Sequence, residues 1–145
     1  MRGEPRLFHL LAQAHRAVVQ RAERESVAQL GVTPTQLALL YALEGEAGVA
    51  MTTVARLLEL SPAALSGLAD RCEAAGLVTR RPSASDGRAI ELVATPHGRD
   101  LREKSYPLLS DLNARLVEGL DTTEQVAAAK FLTGLIDRFG KSRGD

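Results

Sequence analysis

The 145-residue chain has a single cysteine, no tryptophan, 3% aromatic residues and no net charge, its 18 Lys and Arg matched by 18 Asp and Glu. Cys72 alone closes no internal disulfide and makes no pair for a zinc knuckle or a redox couple, which points to a reducing compartment. With so few rings, the core must be built from Leu, Val, Ile and Ala. Zero net charge removes the overall positive field that draws a protein toward phosphate, but it does not exclude a local basic feature. No apolar run approaches the length of a membrane span. Arginines interrupt the apolar start MRGEPRLFHLLAQAHR, which argues against a secretory signal. The expectation is a cytoplasmic protein with no membrane partner. At 45% hydrophobic and 25% charged residues the composition is that of an ordinary folded domain, which excludes disorder and collagen-like repeats.

Residues 5–30 read as one long amphipathic helix. Phe8, Leu11, His15, Val18 and Ala22 recur at steps of three and four, widened by Leu7, Leu10, Ala14 and Val19. At about 1.5 Å per residue such a helix is about 36 Å long, more than a small core needs to cover. The excess apolar surface suggests packing against another chain. After Gly31, Thr33-Pro34-Thr35-Gln36 reads as N-cap, first helical residue and capping-box partner of a second helix burying Leu37, Leu40, Tyr41 and Leu43. Residues 44–49 read as a connection, and Thr52 or Thr53 opens a short helix with Val54, Ala55, Leu57 and Leu58. Ser61-Pro62 repeats the cap-then-proline signal, and the next helix, 63–75, stops at Gly76. Two short helices joined by three or four residues make a helix-turn-helix unit.

Past Gly76 the period changes. Residues 77–81 and 89–93 look like two strands around the turn-rich Pro82-Ser83-Ala84-Ser85-Asp86-Gly87-Arg88, a β-hairpin wing. Thr95-Pro96 then caps a helix carrying Leu101, Ser105, Leu108, Leu112 and Leu116, with Pro107 expected to kink it. Asp121 and Glu124 make a last capping box, and Val126, Phe131, Leu132, Leu135 and Phe139 line the final helix. The fold class expected is mainly α with a small β-hairpin wing.

The run Val54-Ala55-Arg56-Leu57-Leu58-Glu59-Leu60-Ser61, then Leu68-Ala69-Asp70-Arg71, Gly76-Leu77-Val78-Thr79-Arg80, Asp86-Gly87-Arg88 and Ala94-Thr95-Pro96-His97-Gly98 resembles the MarR family of winged helix-turn-helix transcriptional regulators. The resemblance implies a DNA-binding part over residues 33–97 and dimerisation helices over 5–30 and 96–140 of a single 1–145 chain. It also implies a homodimer on an inverted-repeat operator in double-stranded DNA, with recognition helices about 34–36 Å apart.

The residues support a physical reading beside that resemblance. With Leu65, Leu68, Ala69 and Cys72 on the buried side, the groove-facing side of the recognition helix is Ser61, Ala63, Ala64, Ser66, Gly67, and also Asp70 and Arg71. This face is small and nearly free of donors. Small residues let the backbone approach the duplex closely, Ser66 can bond a base or phosphate, and the alanines can touch thymine methyls. Relatives often carry an arginine or another long polar residue where Pro62 or Gly67 stands, so their base contacts do not carry over. Charge comes from the wing, through Arg80, Arg81 and Arg88. The resemblance places Arg88 at the wing tip in a minor groove, its guanidinium braced by Asp86. Arg71, Arg80 and Arg81 would bind phosphate.

MarR relatives commonly lose DNA affinity when a small, often phenolic, molecule binds between the dimer helices and the DNA-binding unit. Candidate pocket residues here are Phe8, Leu11, His15, Tyr41 and Leu108, although His15 on the apolar stripe also fits a hydrogen-bonded core histidine. Cys72 reads as a small buried hydrophobe in preference to a redox sensor. His9, His15 and His97 are scattered, so no metal or other cofactor is expected. The rival to a DNA-binding regulator is a winged-helix protein-interaction module, favoured by the donor-poor helix face and the zero net charge. An enzyme ranks last, since the sequence has no nucleophile elbow, phosphate-binding glycine loop or metal-ligand set.

Overall fold

The computed structural model describes residues 6–140. The expected helix start at residue 5 lies outside the described residues. Helix α1 (Leu7–Leu30) ends on Gly31, which is left-handed at φ 73° and returns its N–H to the Val27 carbonyl. Just past that turn, the buried Ser26 hydroxyl donates to the Val32 carbonyl at 2.6 Å. Helix α2 (Pro34–Ala42) starts with the expected capping box: Thr33 Oγ1 accepts from the Gln36 amide at 3.2 Å and Gln36 Oε1 accepts from the Thr33 amide at 2.9 Å.

A short strand that the sequence reading placed in a connection follows, β1 (Val49–Ala50), and it runs directly into α3 (Met51–Leu57). The short helix therefore starts from Ala50 and not from Thr52 or Thr53. Two residues carry no period of their own, and β1 exists because Val49 and Ala50 pair with Leu92 and Glu91. Between α3 and α4 (Pro62–Ala74), Glu59 takes a left-handed φ of 54°, a conformation costly for a residue with a Cβ. The Leu60 amide reaches back to the Ala55 carbonyl at 2.9 Å and closes the turn.

Strands β2 (Val78–Pro82) and β3 (Ile90–Ala94) form the hairpin, and the antiparallel sheet has three strands in the order β1-β3-β2. Leu92 and Ala94 face inward. The core, free of aromatic rings among its buried members, joins Leu37, Leu39, Leu40 and Leu43 of the α2 region to Val54, Leu65, Leu68, Ala69 and Cys72 of the helix-turn-helix, and to Leu77, Val78 and Leu92. Leu39 was not expected inside; α2 is so short and so apolar that three of its leucines are buried.

Helix α5 (Pro96–Leu116) is capped by Thr95, whose Oγ1 accepts from the Gly98 amide at 3.0 Å and donates to the Gly76 carbonyl at 2.6 Å. Gly98 leaves no room for a side chain, because a Cβ there would collide with the Leu77 carbonyl oxygen. The Thr-x-x-Gly signature is therefore a packing device that seats α5 on the start of the wing. Pro107 stands within α5, and helix continues past it to Leu116.

The chain divides into two compact units at Leu108 and Leu109. In the first, α1 exposes its apolar stripe, with Leu7 52%, Phe8 89% and Val18 42% accessible. His15 is exposed there too, which corrects the expectation of a core histidine: among the described residues of this unit none buries it. The second unit holds α6 (Thr122–Phe139), started by the Asp121 and Glu124 capping box, with no buried residue of its own.

Candidate nucleic-acid interface

Recognition helix α4 is oriented by burial of Leu65, Leu68, Ala69 and Cys72, the four residues that the helical period assigned to that side. Ser61, Ala63, Ala64, Ser66, Asp70 and Arg71 are exposed, and Gly67 is half-buried. The Ser61 hydroxyl is engaged as N-cap, accepting from the Ala64 amide at 3.2 Å. A Cβ on Gly67 would meet only Arg71 Nη1, at 3.5 Å, an ordinary contact, so packing within the chain does not require a glycine there.

The wing arginines divide into two kinds. The Arg80 guanidinium lies 2.8 Å from Asp70 Oδ1 and 3.3 Å from Glu73 Oε1, and also donates to the Ser66 carbonyl at 3.1 Å. The Arg80 amide donates to the second oxygen of Glu73 at 3.2 Å. This side chain ties the exposed face of α4 to β2. Arg81 pairs with Glu91 across the hairpin at 3.3 Å. By contrast Arg88 at the tip, Arg71 on α4 and Arg56 on α3 make no ion pair and no guanidinium hydrogen bond among the described residues, and all three are exposed. Arg56 did not stand out in the sequence, where one exposed arginine on a short helix gives no signal.

Asp86 does not brace the Arg88 guanidinium as expected. Its Oδ1 accepts from the Arg88 backbone amide at 3.1 Å, an Asx-type turn that shapes the tip and leaves the guanidinium outward. Ser83 Oγ accepts from the Ser85 and Asp86 amides at 3.3 and 3.4 Å and tightens the same loop.

The candidate pocket residues are spread out. Phe8, Leu11 and His15 lie exposed on α1, whereas Leu108 is buried on α5. Tyr41 donates its hydroxyl to Ser105 Oγ at 2.7 Å, and Ser105 in turn donates to the Arg102 carbonyl at 2.6 Å. The Tyr41 ring packs edge-on to Tyr106 with centroids 5.7 Å apart. Tyr41 also borders an open groove with Ala38, Ala42, Glu44, Val49, Leu57 and Leu58, to which α1 contributes nothing. Arg102 Nη1 donates to the Leu40 and Leu43 carbonyls at 3.1 and 3.0 Å, so a cation closes the end of α2.

Cys72 is fully buried, and burial raises its thiol pKa above the ordinary value, against the smaller lowering effects of the Arg71 charge and a Gln36 hydrogen bond. A protonated, inaccessible thiol is unsuited to redox sensing. Among the described residues no group of His, Cys, Asp or Glu could hold a metal ion, and no helix is long and apolar enough to cross a membrane.

A capped helix-turn-helix followed by a hairpin whose tip carries an outward arginine defines a winged helix-turn-helix protein. Comparison with known proteins narrows this. A sequence profile of the MarR family matches residues 30–89. The HTH-type transcriptional repressor MdtR of Bacillus subtilis is 31% identical over 84% of this chain and 79% of its own length. Among solved structures, the DNA complex of S. aureus MepR superposes with a TM-score of 0.84 at 22% identity, covering 93% of this chain and 99% of that one. Bordetella bronchiseptica BpsR gives 0.81 at 24% identity over 91% and 94%. The chain belongs to the MarR family of transcriptional regulators.

Proposed function

We propose that the protein is a homodimeric, sequence-specific DNA-binding transcriptional repressor. The observation that carries this reading is the pairing of a recognition helix with a small exposed face, Ala63, Ala64, Ser66 and Gly67, with a wing tip whose Arg88 guanidinium is unpaired. The helix backbone enters a major groove closely. Ser66 and Arg71 bond the duplex there, Arg88 enters the adjacent minor groove, and Asp86 sets the tip that presents it. Ser61 and Arg80 act by fixing α4, through its cap and through its tie to the wing.

The DNA-binding part is residues 33–97, and the dimer is formed through 5–30 and 96–140. Its support is the apolar surface that one chain leaves in water on α1, and separately on α6, where Val126, Phe131, Leu132 and Phe139 are all exposed. A dimer with two such helices reads an inverted repeat with half-site centres about ten base pairs apart. Membership of a family whose curated relatives are transcriptional repressors favours this reading over an interaction module that has left DNA. It also implies action in the cytoplasm without catalysis.

Release by a small aromatic or phenolic molecule completes the reading. Its support is the regulation of DNA binding in the similar BpsR by 6-hydroxynicotinic acid. Phe8, Leu11, His15, Tyr41 and Leu108 are the residues to examine for its site once two chains are joined.

The test is selection of bound fragments from genomic DNA, followed by titration of the recovered duplex. The expected outcome is a palindrome bound by a dimer, and an Arg88→Ala variant that loses about 1–3 kcal/mol of binding free energy. Equal affinity for the recovered and scrambled duplexes would reject the reading.

A further inference from the structure

Between residues 62 and 94 there are four arginines, Arg71, Arg80, Arg81 and Arg88, and four carboxylates, Asp70, Glu73, Asp86 and Glu91. The fold does not scatter these charges at random. Two of the wing's three arginines are matched to carboxylates, and the tip arginine is not. The Arg81–Glu91 pair is the informative one, because Arg81 makes no contact that holds the recognition helix, unlike Arg80. Arg81 and Glu91 are direct cross-strand partners in the β2–β3 register, so the hairpin itself sets them side by side. The Glu91 side chain is only 16% exposed, whereas that of Arg81 is 51% exposed. The carboxylate is seated over Gly48: a Cβ there would collide with Glu91 Oε2 and lie 3.0 Å from Arg81 Nη2. A fixed, shielded carboxylate thus holds an otherwise available cation on the wing.

Resting on the DNA-binding reading above, we propose that Glu91 sets the wing's sequence-independent affinity for duplex DNA. By holding Arg81 in an internal ion pair it withholds a cation from phosphate and so limits attraction to arbitrary duplex DNA. Phosphate contacts are blind to sequence and supply most non-specific affinity, while base-edge and groove-shape contacts carry the discrimination. A recognition face as poor in donors as Ala63, Ala64, Ser66 and Gly67 gains little from sequence readout. Each further wing arginine left free would add affinity for any duplex and raise the background on random DNA. Pairing Arg81 keeps the background low and leaves the groove-entering Arg88 to act.

The experiment measures anisotropy of a fluorescein-labelled duplex of scrambled sequence, titrated with the full chain across a range of salt concentrations. Glu91→Gln is expected to steepen the slope of log K against log salt by about 0.9 per freed arginine, about 1.8 for a dimer. At about 0.1 M salt that corresponds to about eightfold tighter non-specific binding per arginine. Because phosphate contacts are blind to sequence, affinity for the selected operator is expected to rise by a similar factor. Adding Arg81→Gln to Glu91→Gln is expected to remove the gain. Arg81→Gln alone should flatten the slope by less than Arg88→Gln does, which tests the pair even if Glu91→Gln folds poorly. An unchanged slope in folded Glu91→Gln overturns the proposal, as does a gain that survives in the double variant, since the carboxylate would then act without Arg81. If the unaltered protein binds no duplex at low salt, the DNA-binding reading falls and this proposal with it; wild-type binding with an unmoved slope overturns this proposal alone.

Discussion

Asp70 Oδ1 and Arg80 Nη2 stand 2.8 Å apart, joining the exposed face of the recognition helix to the first wing strand. Because the Arg80 guanidinium also meets Glu73 and the Ser66 carbonyl, it acts as a clamp on α4. Arg80→Ala should cost about 1 kcal/mol of stability, since the carboxylates it leaves are solvated and lose little. Operator affinity should fall more than affinity for scrambled DNA, because what is lost is helix placement. Urea unfolding and paired anisotropy titrations check the two halves of this statement.

Gly67 separates stability from function. Its Cβ space is open within the chain, and a mid-helix glycine costs about 1 kcal/mol relative to alanine. Gly67→Ala is therefore expected to stabilise the protein by up to about 1 kcal/mol while weakening operator binding, as an added methyl stands between helix backbone and groove. A stabilised variant with unchanged operator affinity would show that close approach at this position is not used.

Gly98 gives the opposite case. A Cβ would collide with the Leu77 carbonyl, which is backbone and is already held by the Thr95 amide at 3.0 Å. Neither side can give way without moving α5 from the wing. Gly98→Ala should destabilise by at least about 2 kcal/mol, read as a lowered denaturant midpoint.

Cys72 predicts a pH dependence. Burial raises the thiol pKa in the folded chain, so folding favours the neutral thiol. That contribution is fully present below the unfolded pKa and is lost as pH rises through the alkaline range, where the unfolded chain ionises first. Relative to Cys72→Val, the wild type should lose up to about 1.4 kcal/mol of stability per pH unit above about pH 9. Parallel denaturation curves at neutral and alkaline pH would reveal it. A constant difference between the two proteins would show that the thiol does not titrate with folding.

Much of the molecule was legible because it is written locally. Thr33, Ser61, Thr95 and Asp121 each cap a helix through a hydrogen bond to a residue three positions on, so a short window of sequence contains the whole interaction. The buried side of α4 followed from the helical period alone. What stayed hidden depended on partners brought from a distance. Strand β1 has two residues and no period, and exists only through its pairing with Leu92 and Glu91.

Charge shows the division most clearly. The sequence by itself determined a winged helix-turn-helix, a balanced charge count and a wing richer in arginine than the helix before it. Those arginines suggested a positive edge, with Asp70 and Glu73 kept apart on the helix. Only the tertiary structure decided that β2 returns alongside α4, bringing Arg80 onto both carboxylates, and that the hairpin register sets Arg81 against Glu91. Coulomb attraction falls with distance in space, not along the chain, so counting charges could establish their sum but not which cation was left free.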